Sequence, residues 1–260
     1  MKKYFLISLM ALVALTMTSC MSVNIGNGNK DTTPSQVLEI NKVTKMQSFN
    51  EVDFAGAFKI IYEEGKDHSV RVEASEQAFK EMTVYVKDGE LRIRQSVSKP
   101  TVKFQNVKIY VTSPNLKKVD LTGSGMFTAS NPINPADDLK VDVTGSGTVL
   151  LASVNCSECD LEITGSGSIE IGKITAKNAN VDITGSGSIN LGNLVCNDMD
   201  IDITGSGDLN CEYIGANNVR TDISGSGDVN LKGHINNFTK ETHGSGKAKY
   251  EEIPAPQAIQ

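Results

Sequence analysis

The chain of 260 residues carries 25 basic and 31 acidic residues, which gives a net charge of −6, and it lacks tryptophan. An acidic protein has no extended basic surface of the kind that nucleic-acid binding requires, so nucleic acid is excluded as a partner. Aromatic residues make up only 5% of the chain, which leaves few exposed rings for stacking on sugars.

The N-terminus has the three-part pattern of a secretory signal. Lys2 and Lys3 precede an apolar run from Phe5 to Leu15, and mostly small or polar residues then lead up to Cys20. A helix that spans a bilayer needs about 20 apolar residues, so this run is too short to be a transmembrane helix. We therefore predict a cleaved signal peptide over residues 1–19.

Cys20 is the predicted attachment point for a lipid. The preceding residues, Leu15-Thr16-Met17-Thr18-Ser19, resemble a bacterial lipobox, in which small residues precede a lipid-accepting cysteine. A lipoprotein anchor carries several acyl chains, and two or more chains hold a protein stably on a membrane. Met21 stands where the resembling lipoproteins carry a retention aspartate, which favours the outer membrane but indicates neither of its faces. An ordinary signal that happens to contain a cysteine is the alternative.

The rest of the chain divides into a linker, a folded domain and a tail. Residues 20–36 are rich in Gly, Asn, Ser and Thr and lack apolar periodicity, so we predict a flexible, lipid-anchored linker. We expect a single β-helix domain over residues 37–253, with irregular coils over 37–120 and repeats over 121–246. Residues 254–260 form the tail.

The N-terminal part of the domain alternates apolar and polar residues in short runs, which is typical of strands with one wet face. Examples are Val70-Arg71-Val72, Leu91-Arg92-Ile93 and Val107-Lys108-Ile109. Asp88-Gly89 between two such runs is a hairpin signal. We expect these runs to form wider opening coils that cap the repeats, because stacks of repeats need atypical ends.

A 20-residue repeat organises the C-terminal half of the chain. Gly-Ser-Gly occurs seven times, at spacings of 22, 20, 20, 20, 20 and 19 residues. Self-similarity at a fixed period indicates stacked structural units. We predict a corner at the first glycine of each motif, where a positive φ or a close approach of two backbones excludes a side chain. These glycines are Gly123, Gly145, Gly165, Gly185, Gly205, Gly225 and Gly244.

Between the corners the apolar residues recur with period two, so the repeats are strands with one buried face. Alignment on the first glycine stacks like residues in columns, such as Ile163, Ile183, Ile203 and Ile223. Twenty residues hold about three short strands and three corners, and coils stack about 4.8 Å apart. We predict an all-β fold, a single-stranded right-handed parallel β-helix with coils of about 20 residues. A β-propeller is the rival architecture, but its blades need about 40 residues.

Four more cysteines lie within the repeats, at Cys156, Cys159, Cys196 and Cys211. Cys156 and Cys159 form a C-x-x-C motif, but no second such motif or nearby histidine completes a zinc site. The alignment places Cys156 and Cys196 in a column with alanines, and Cys211 in a column of Leu and Ile. Cysteine behaves as a small hydrophobic residue, so we predict buried free thiols, with a disulfide or a metal role as the alternative.

An acidic residue stands three positions before the first glycine in five successive repeats. These residues are Asp142, Glu162, Asp182, Asp202 and Asp222. Stacked coils bring such residues to about 4.8 Å from one another, where like charges repel. Because Ca²⁺ binds carboxylate oxygens, these residues are candidate calcium ligands. A solvated acidic surface with raised carboxylate pKa values is the simpler interpretation.

Five motifs occur in an order that is specific in combination. They are Phe49-Asn50-Glu51-Val52, Phe58-Lys59-Ile60, Val70-Arg71-Val72-Glu73-Ala74-Ser75, Asp88-Gly89-Glu90-Leu91-Arg92-Ile93 and the Gly-Ser-Gly series. Over about residues 40–250 the chain resembles the bacterial head GIN domain family, which is described as a putative auto-transporter adhesin. The resemblance implies a right-handed parallel β-helix in the cell envelope, and it brings no catalytic residues.

Nothing in the sequence indicates catalysis, and we predict neither an enzyme nor a cofactor. The three histidines, His68, His234 and His243, do not lie beside a serine or cysteine in a nucleophile pattern. Gly-Ser-Gly lacks the G-x-S-x-G elbow of serine hydrolases. The sequence favours a surface adhesin, scaffold or envelope spacer that contacts a protein or a glycan. A glycan-binding or glycan-active β-helix is the alternative.

Cys20→Ala should release the protein from the membrane, because it removes the thiol that would accept the lipid. After lysis and ultracentrifugation we expect the variant in the soluble fraction and the wild-type protein in the membrane pellet. Retention of the variant in the pellet would contradict the lipid anchor.

Overall fold

The structure is a computed structural model that describes residues 36–39, 47–95, 104 and 106–254. These residues contain 19 strands and one five-residue helix. No helix in the described part of the chain is long and apolar enough to cross a membrane. The predicted signal peptide, Cys20 and all but the last residue of the predicted linker lie outside the described residues.

Strands succeed one another along the domain, because most segments alternate buried apolar and more exposed polar side chains. The N-terminal part contains β1 (Gln36–Glu39), β2 (Glu51–Gly56), β3 (Lys59–Glu64), β4 (Ser69–Ala74), α1 (Glu76–Lys80), β5 (Met82–Lys87), β6 (Glu90–Gln95), β7 (Lys108–Ser113), β8 (Lys118–Gly123) and β9 (Met126–Ala129). The repeats contain β10 (Asp138–Gly145), β11 (Thr148–Asn155), β12 (Glu158–Gly165), β13 (Ser168–Thr175), β14 (Asn178–Gly185), β15 (Ser188–Val195), β16 (Asp198–Gly205), β17 (Asp208–Gly225), β18 (Asp228–Gly244) and β19 (Lys247–Glu252).

The repeats form a parallel β-solenoid, and the whole domain has about seven turns, which confirms the predicted β-helix. β10, β12, β14 and β16 each end at a Gly-Ser-Gly corner and form one parallel ladder. β11, β13 and β15 follow the corner and form a second parallel ladder. β17 and β18 are long enough to pass through both ladders. From β10 to β17 the register advances by 20 residues a coil, as where Asp182 stands opposite Asp202.

The second strand of each coil bends near its middle. In β11, Leu151 pairs with Ile171 and Ser153 pairs with Lys173, but the ladder skips the position between them. The alternation of burial breaks at the same place, because Ala152 and Ser153 both lie outside the core. Each coil therefore has three straight segments, as its length predicted, although they belong to two continuous strands.

Aliphatic columns fill the interior of the solenoid. Ile163, Ile183, Ile203 and Ile223 are each at most 1% exposed, which confirms the predicted buried column. The parallel register places these side chains directly opposite one another. Burying one such side chain contributes about 1.5–3 kcal/mol relative to leaving it in water.

The Gly-Ser-Gly corners pack so closely that neither glycine has room for a side chain. Gly185 has a φ of +119°, and a Cβ there would lie 2.5 Å from the carbonyl oxygen of Gly165. A Cβ on Gly187 would lie 2.5 Å from Cγ2 of Ile163, in the core of the preceding coil. The N–H of Ser186 donates to the Gly165 carbonyl at 2.8 Å, so the hydrogen-bond ladder continues through the corner. The first glycines of all seven motifs share the positive φ.

The N-terminal strands stack out of chain order. β2 and β3 form one coil, which lies between the coil of β6 and β7 and the coil of β8 and β9. β1, β4 and β5 pair antiparallel with their neighbours, whereas pairing within the repeats is parallel. The predicted irregular capping coils are confirmed, and the antiparallel strands β1, β4 and β5 add to them. These coils and strands form the N-terminal cap.

Two local signals shape this cap. Asp88 and Gly89 join β5 to β6 with φ values of +54° and +85°, the two positive values of a type I′ hairpin turn. Ser75 caps α1, because its Oγ accepts a hydrogen bond from the N–H of Ala78 at 3.2 Å. Together these signals reverse the chain, so that antiparallel strands cover the parallel edges at this end of the solenoid.

The other end of the solenoid is closed by a change of side chains. β18 places Lys240 opposite Thr221 and Thr242 opposite Ile223, where the core columns would otherwise continue. The Nζ of Lys240 donates to the carbonyl of Ala248 at 3.1 Å. A charged and a polar side chain at core positions offer no apolar surface to a further coil, which protects this edge from pairing.

Gly185→Ala should destabilise the solenoid by about 3 kcal/mol, because alanine disfavours a positive φ and its Cβ would meet the Gly165 carbonyl. Urea unfolding followed by circular dichroism measures this loss as a lower midpoint. Gly215→Ala is the matched control, since a Cβ there lies no closer than 3.8 Å to another residue. Equal midpoints for the two variants would show that the corners tolerate a side chain.

Candidate functional site

One outer surface of the solenoid carries the candidate site. We call the outward side chains of β8, β10, β12, β14, β16 and the second half of β17 the acidic face. Its central column contains Asp120, Asp142, Glu162, Asp182, Asp202 and Asp222, which stand opposite one another in register. The five acidic residues singled out in the sequence therefore lie in one row, on strands about 4.8 Å apart.

Lysines neutralise the N-terminal end of this row. The Nζ of Lys118 lies 3.1 Å from a carboxylate oxygen of Asp120 and 3.2 Å from one of Asp142. The Nζ of Lys140 lies 3.3 Å from Asp142 and 3.2 Å from Glu162. Each lysine bridges two successive coils, so neighbouring carboxylates share a cation at this end.

The pKa values of both bridging lysines, Lys118 and Lys140, are raised. Partial burial works to lower the pKa of Lys118, but its hydrogen bonds to Asp120 and Asp142 outweigh burial, and the pKa is raised. The pKa of Lys140 is also raised, because burial is opposed by Glu162 and Asp142. Both lysines therefore stay charged at neutral pH and balance the carboxylates beside them.

The middle of the acidic face has an excess of negative charge. Asp160, Asn180 and Asp200 form the column next to the central one, and Asn180 donates to Asp160 at 2.7 Å. Within the described residues, Asp182, Asp200 and Asp202 form no ion pair. Arg220 stands opposite Asp200 in the next coil, but the ion pair of Arg220 is with Asp222.

Partial burial and neighbouring charges raise the pKa of Asp182, which lies midway along the central column. Partial burial is the largest cause, the charges of Asp202, Glu162 and Asp160 add to it, and Lys140 opposes it. Because the folded-state pKa is above the unfolded value, the folded protein binds this proton more tightly. Ionisation of Asp182 therefore removes stability as the pH rises from the unfolded pKa through the raised one.

The acidic face contains no preformed metal cage. No three His, Cys, Asp or Glu side chains in the described ranges come together in a way that could hold a metal ion. The central column spreads its carboxylates one per coil, whereas Ca²⁺ takes about 6–8 oxygens at distances of about 2.3–2.6 Å. Calcium binding by Asp142, Glu162, Asp182, Asp202 and Asp222 stays a prediction from the sequence.

A second outer surface carries neutral amide ladders. The Nδ2 of Asn210 donates to Oδ1 of Asn190 at 3.2 Å, and that of Asn230 donates to Asn210 at 3.0 Å. Another ladder runs along the corner, where Asn236 donates to Asn217 at 2.9 Å. Stacked amides satisfy part of their hydrogen bonding along the row and present the remaining donors and acceptors to solvent.

A groove near the C-terminal end was not predicted from the sequence. It has a volume of about 890 Å³. Its walls include Val195, Tyr213, Asn217, His234 and Glu252. The groove lies beside a β-bulge, where the register between β17 and β18 shifts after Cys211. The only signal in the sequence is the 19-residue spacing of the last two Gly-Ser-Gly motifs.

Asp182→Asn should raise the melting temperature at neutral pH, because it removes a carboxylate whose raised pKa makes its ionisation unfavourable. The gain should shrink as the pH falls towards the pKa of an unfolded aspartate, since Asp182 is then protonated in the parent protein. Thermal melts across this range measure the effect.

Asp222→Asn is the control for that experiment. Asp222 stands in the same column, but Arg220 lies 3.9 Å from it and offsets its charge. We therefore expect no gain from this control. An equal rise in the melting temperature of both variants would mean that the net charge of the protein, and not the surroundings of Asp182, causes the stabilisation.

Comparison with known proteins identifies a family. The family described as "Putative auto-transporter adhesin, head GIN domain" matches residues 48–212 and 197–259. No curated protein matches the chain. The family match extends over the N-terminal cap, the acidic face and the groove, so it covers the features described above.

Three solved structures share the fold. A putative adhesin from Bacteroides fragilis NCTC 9343 has a TM-score of 0.75 at 23% identity and covers 87% of this chain and 100% of its own. A putative adhesin from Parabacteroides merdae ATCC 43184 has a TM-score of 0.69 at 22% identity, over 84% of this chain and 95% of its own. A putative lipid binding protein from Parabacteroides distasonis ATCC 8503 has a TM-score of 0.59 at 24% identity, over 88% and 98%.

These identities establish a common solenoid and nothing more specific. The family match, in contrast, covers well over half of the sequence and includes both the cap and the repeats. The chain therefore belongs to the head GIN domain family, which is described as "Putative auto-transporter adhesin".

Proposed function

We propose that this protein is a lipid-anchored, non-catalytic protein of the cell envelope that acts as a surface adhesin or scaffold. Cys20 would carry the lipid in the outer membrane, and residues 20–36 would let the folded domain swing about this anchor. The family's description as an adhesin supports a position in the envelope or at the cell surface.

The observation that carries this proposal is the repetition of the same surface from coil to coil. Asp182 stands opposite Asp202 on the acidic face, and Asn190 stands opposite Asn210 on the amide surface. A partner can therefore engage several equivalent positions at once. Linked weak contacts raise the overall affinity by factors on the order of 10²–10⁴ without any single strong site.

The acidic face is the stronger candidate for the contact surface. Asp182, Asp200 and Asp202 are free of ion pairs among the described residues, so cationic groups of a partner can approach them. Complementary charge speeds association and selects partners, and its effect falls with added salt. A protein with a basic surface is the partner chemistry that fits this face.

A glycan-binding or glycan-active protein is the second candidate, and the groove is the observation that favours it. Tyr213 offers an aromatic ring, Asn217 offers an amide, and Nδ1 of His234 lies 3.6 Å from a carboxylate oxygen of Glu252. Ligand sites combine a largely apolar wall with a few polar groups in this way. Glu252 is the carboxylate in the groove that a catalytic role would involve.

Liposomes carrying the full-length protein should adhere to beads coated with a lysine-rich polypeptide. Asp182→Asn, Asp200→Asn and Asp202→Asn combined should weaken adhesion about tenfold, because several charge contacts are lost together. Glu170→Gln, Glu212→Gln and Glu251→Gln combined form the matched control, since they remove the same charge from exposed positions outside the acidic face. Bead counts under flow, at low and at high salt, measure adhesion.

An equal loss of adhesion in both triple variants would contradict a specific acidic contact face, because net charge alone would then explain the adhesion. The second candidate has its own readout, which is release of sugars from a panel of host and bacterial polysaccharides. Turnover that Glu252→Gln abolishes would overturn the non-catalytic proposal in favour of a glycan-active enzyme.

A further inference from the structure

The cysteines of the repeats do not share one environment. All four are free thiols, and Cys159, Cys196 and Cys211 are buried, as predicted. Cys156 differs, because it is only half-buried at the corner between β11 and β12. The buried-thiol prediction is therefore wrong for Cys156, because the corner exposes part of the side chain to solvent.

The corner holds Cys156 and Cys159 next to each other. The chain bends at Ser157, and the N–H of Cys156 donates to the carbonyl of Thr175 at 3.1 Å. The side chain of Cys156 packs against the core cluster, and Cys159 belongs to that cluster with 0% exposure. The two cysteines thus lie three residues apart across one bend, with Cys159 inside the core and Cys156 at its margin.

The strand pair that contains Cys159 borders the corner of Cys156. Leu139 stands directly opposite Cys159 in the ladder between β10 and β12. The thiol of Cys159 and the backbone N–H of Leu139 are both among the groups that act on the acidity of the Cys156 thiol.

The two thiols differ in accessibility and acidity. The hydrogen bond with Cys159 lowers the pKa of Cys156, burial works against this, and the N–H of Leu139 adds to the lowering. The same thiol contact and complete burial raise the pKa of Cys159 well above its usual value. The thiolate is the form that attacks a disulfide, so Cys156 is the thiol that reacts first.

We propose that Cys156 and Cys159 form an oxidisable dithiol, which closes to a disulfide by exchange with a small-molecule disulfide. Cys156 is the accessible attacking group, and Cys159 is the buried resolving group. An exported protein reaches an oxidising compartment, in which thiols are converted to disulfides, and the sequence predicts export.

The exchange proceeds in two balanced steps. The Cys156 thiolate attacks one sulfur of glutathione disulfide, so that a mixed disulfide forms and one glutathione thiolate leaves. Cys159 then gives up its proton and attacks the Cys156 sulfur, which breaks the mixed disulfide and releases the second glutathione. The protein loses two electrons and two protons, and the glutathione disulfide takes them up as two thiols.

The two remaining cysteines serve as internal controls. Cys196 occupies the same corner two coils on, but Met199 stands where Cys159 would be. Burial raises the pKa of Cys196 to about 11 and that of Cys211 to about 12. Neither thiol is poised for attack, and Cys196 has no resolving partner across its bend.

The test uses the full-length chain with Cys20→Ser, which leaves the four cysteines of the repeats. After equilibration with glutathione disulfide and alkylation in denaturant, intact mass spectrometry should find two thiols lost and no glutathione attached. Cys159→Ala in this background should instead trap one glutathione on residue 156. Cys156→Ala should keep its three thiols. Cys156 should react with a thiol reagent about tenfold or more faster than Cys196.

The alanine variants should fold, because Ala176 and Ala179 occupy the same two columns in the next coil. Circular dichroism of each variant checks this point. Cys196→Ala is the matched control and should lose two thiols like its parent. The proposal is overturned if the parent keeps four alkylatable thiols at every oxidant concentration, or if Cys156→Ala still closes a disulfide.

Discussion

Successive backbones meet at the Gly-Ser-Gly corners at distances that leave no room for a side chain. The carbonyl oxygen of the preceding glycine would lie 2.8 Å from a Cβ at Gly145, and this distance falls to 2.1 Å at Gly225. Each corner thus seats on the previous one and fixes the register of the strands on both sides. A slip of one residue would turn the core columns outward, so the buried interior depends on this contact.

The register that aligns the isoleucines in the core also aligns carboxylates on the acidic face, where they repel one another. This repulsion is neutralised at some positions along the face and not at others. Lys118 and Lys140 bridge coils at one end, and Asn180 separates Asp160 from Asp200 in the middle. The remaining repulsion is tolerated because exposed charges interact weakly and are screened by salt. A surface that is unfavourable to the fold in this way is available to an oppositely charged partner.

The repeats could be predicted from the sequence because their information is local and recurs, so that seven motifs and one isoleucine column define the solenoid. The pairing of β1 with β4 and of β4 with β7 could not be predicted, because antiparallel pairing between distant strands leaves no periodic mark. Gly56 belongs to the corner column, with a φ of +147° and Gly123 opposite it. Ala57 and Phe58 follow it in place of serine and glycine. This corner therefore lacks the Gly-Ser-Gly motif by which the later corners were predicted. The groove could not be predicted, because it lies beside a bulge that arises where β18 is one residue shorter than β17.

The out-of-order coil of β2 and β3 determines the direction in which the domain can wind. Val52 pairs with Leu91 on one side and with Val119 on the other, so both partners are synthesised after it. A chain that is synthesised from its N-terminus therefore cannot form the solenoid turn by turn from its beginning. The pairing of β2 and β3 is complete only after β6 and β7, which end at Ser113, and then β8 and β9, which end at Ala129, have emerged. The later turns can then add to this part of the solenoid one after another, in the order in which they are synthesised.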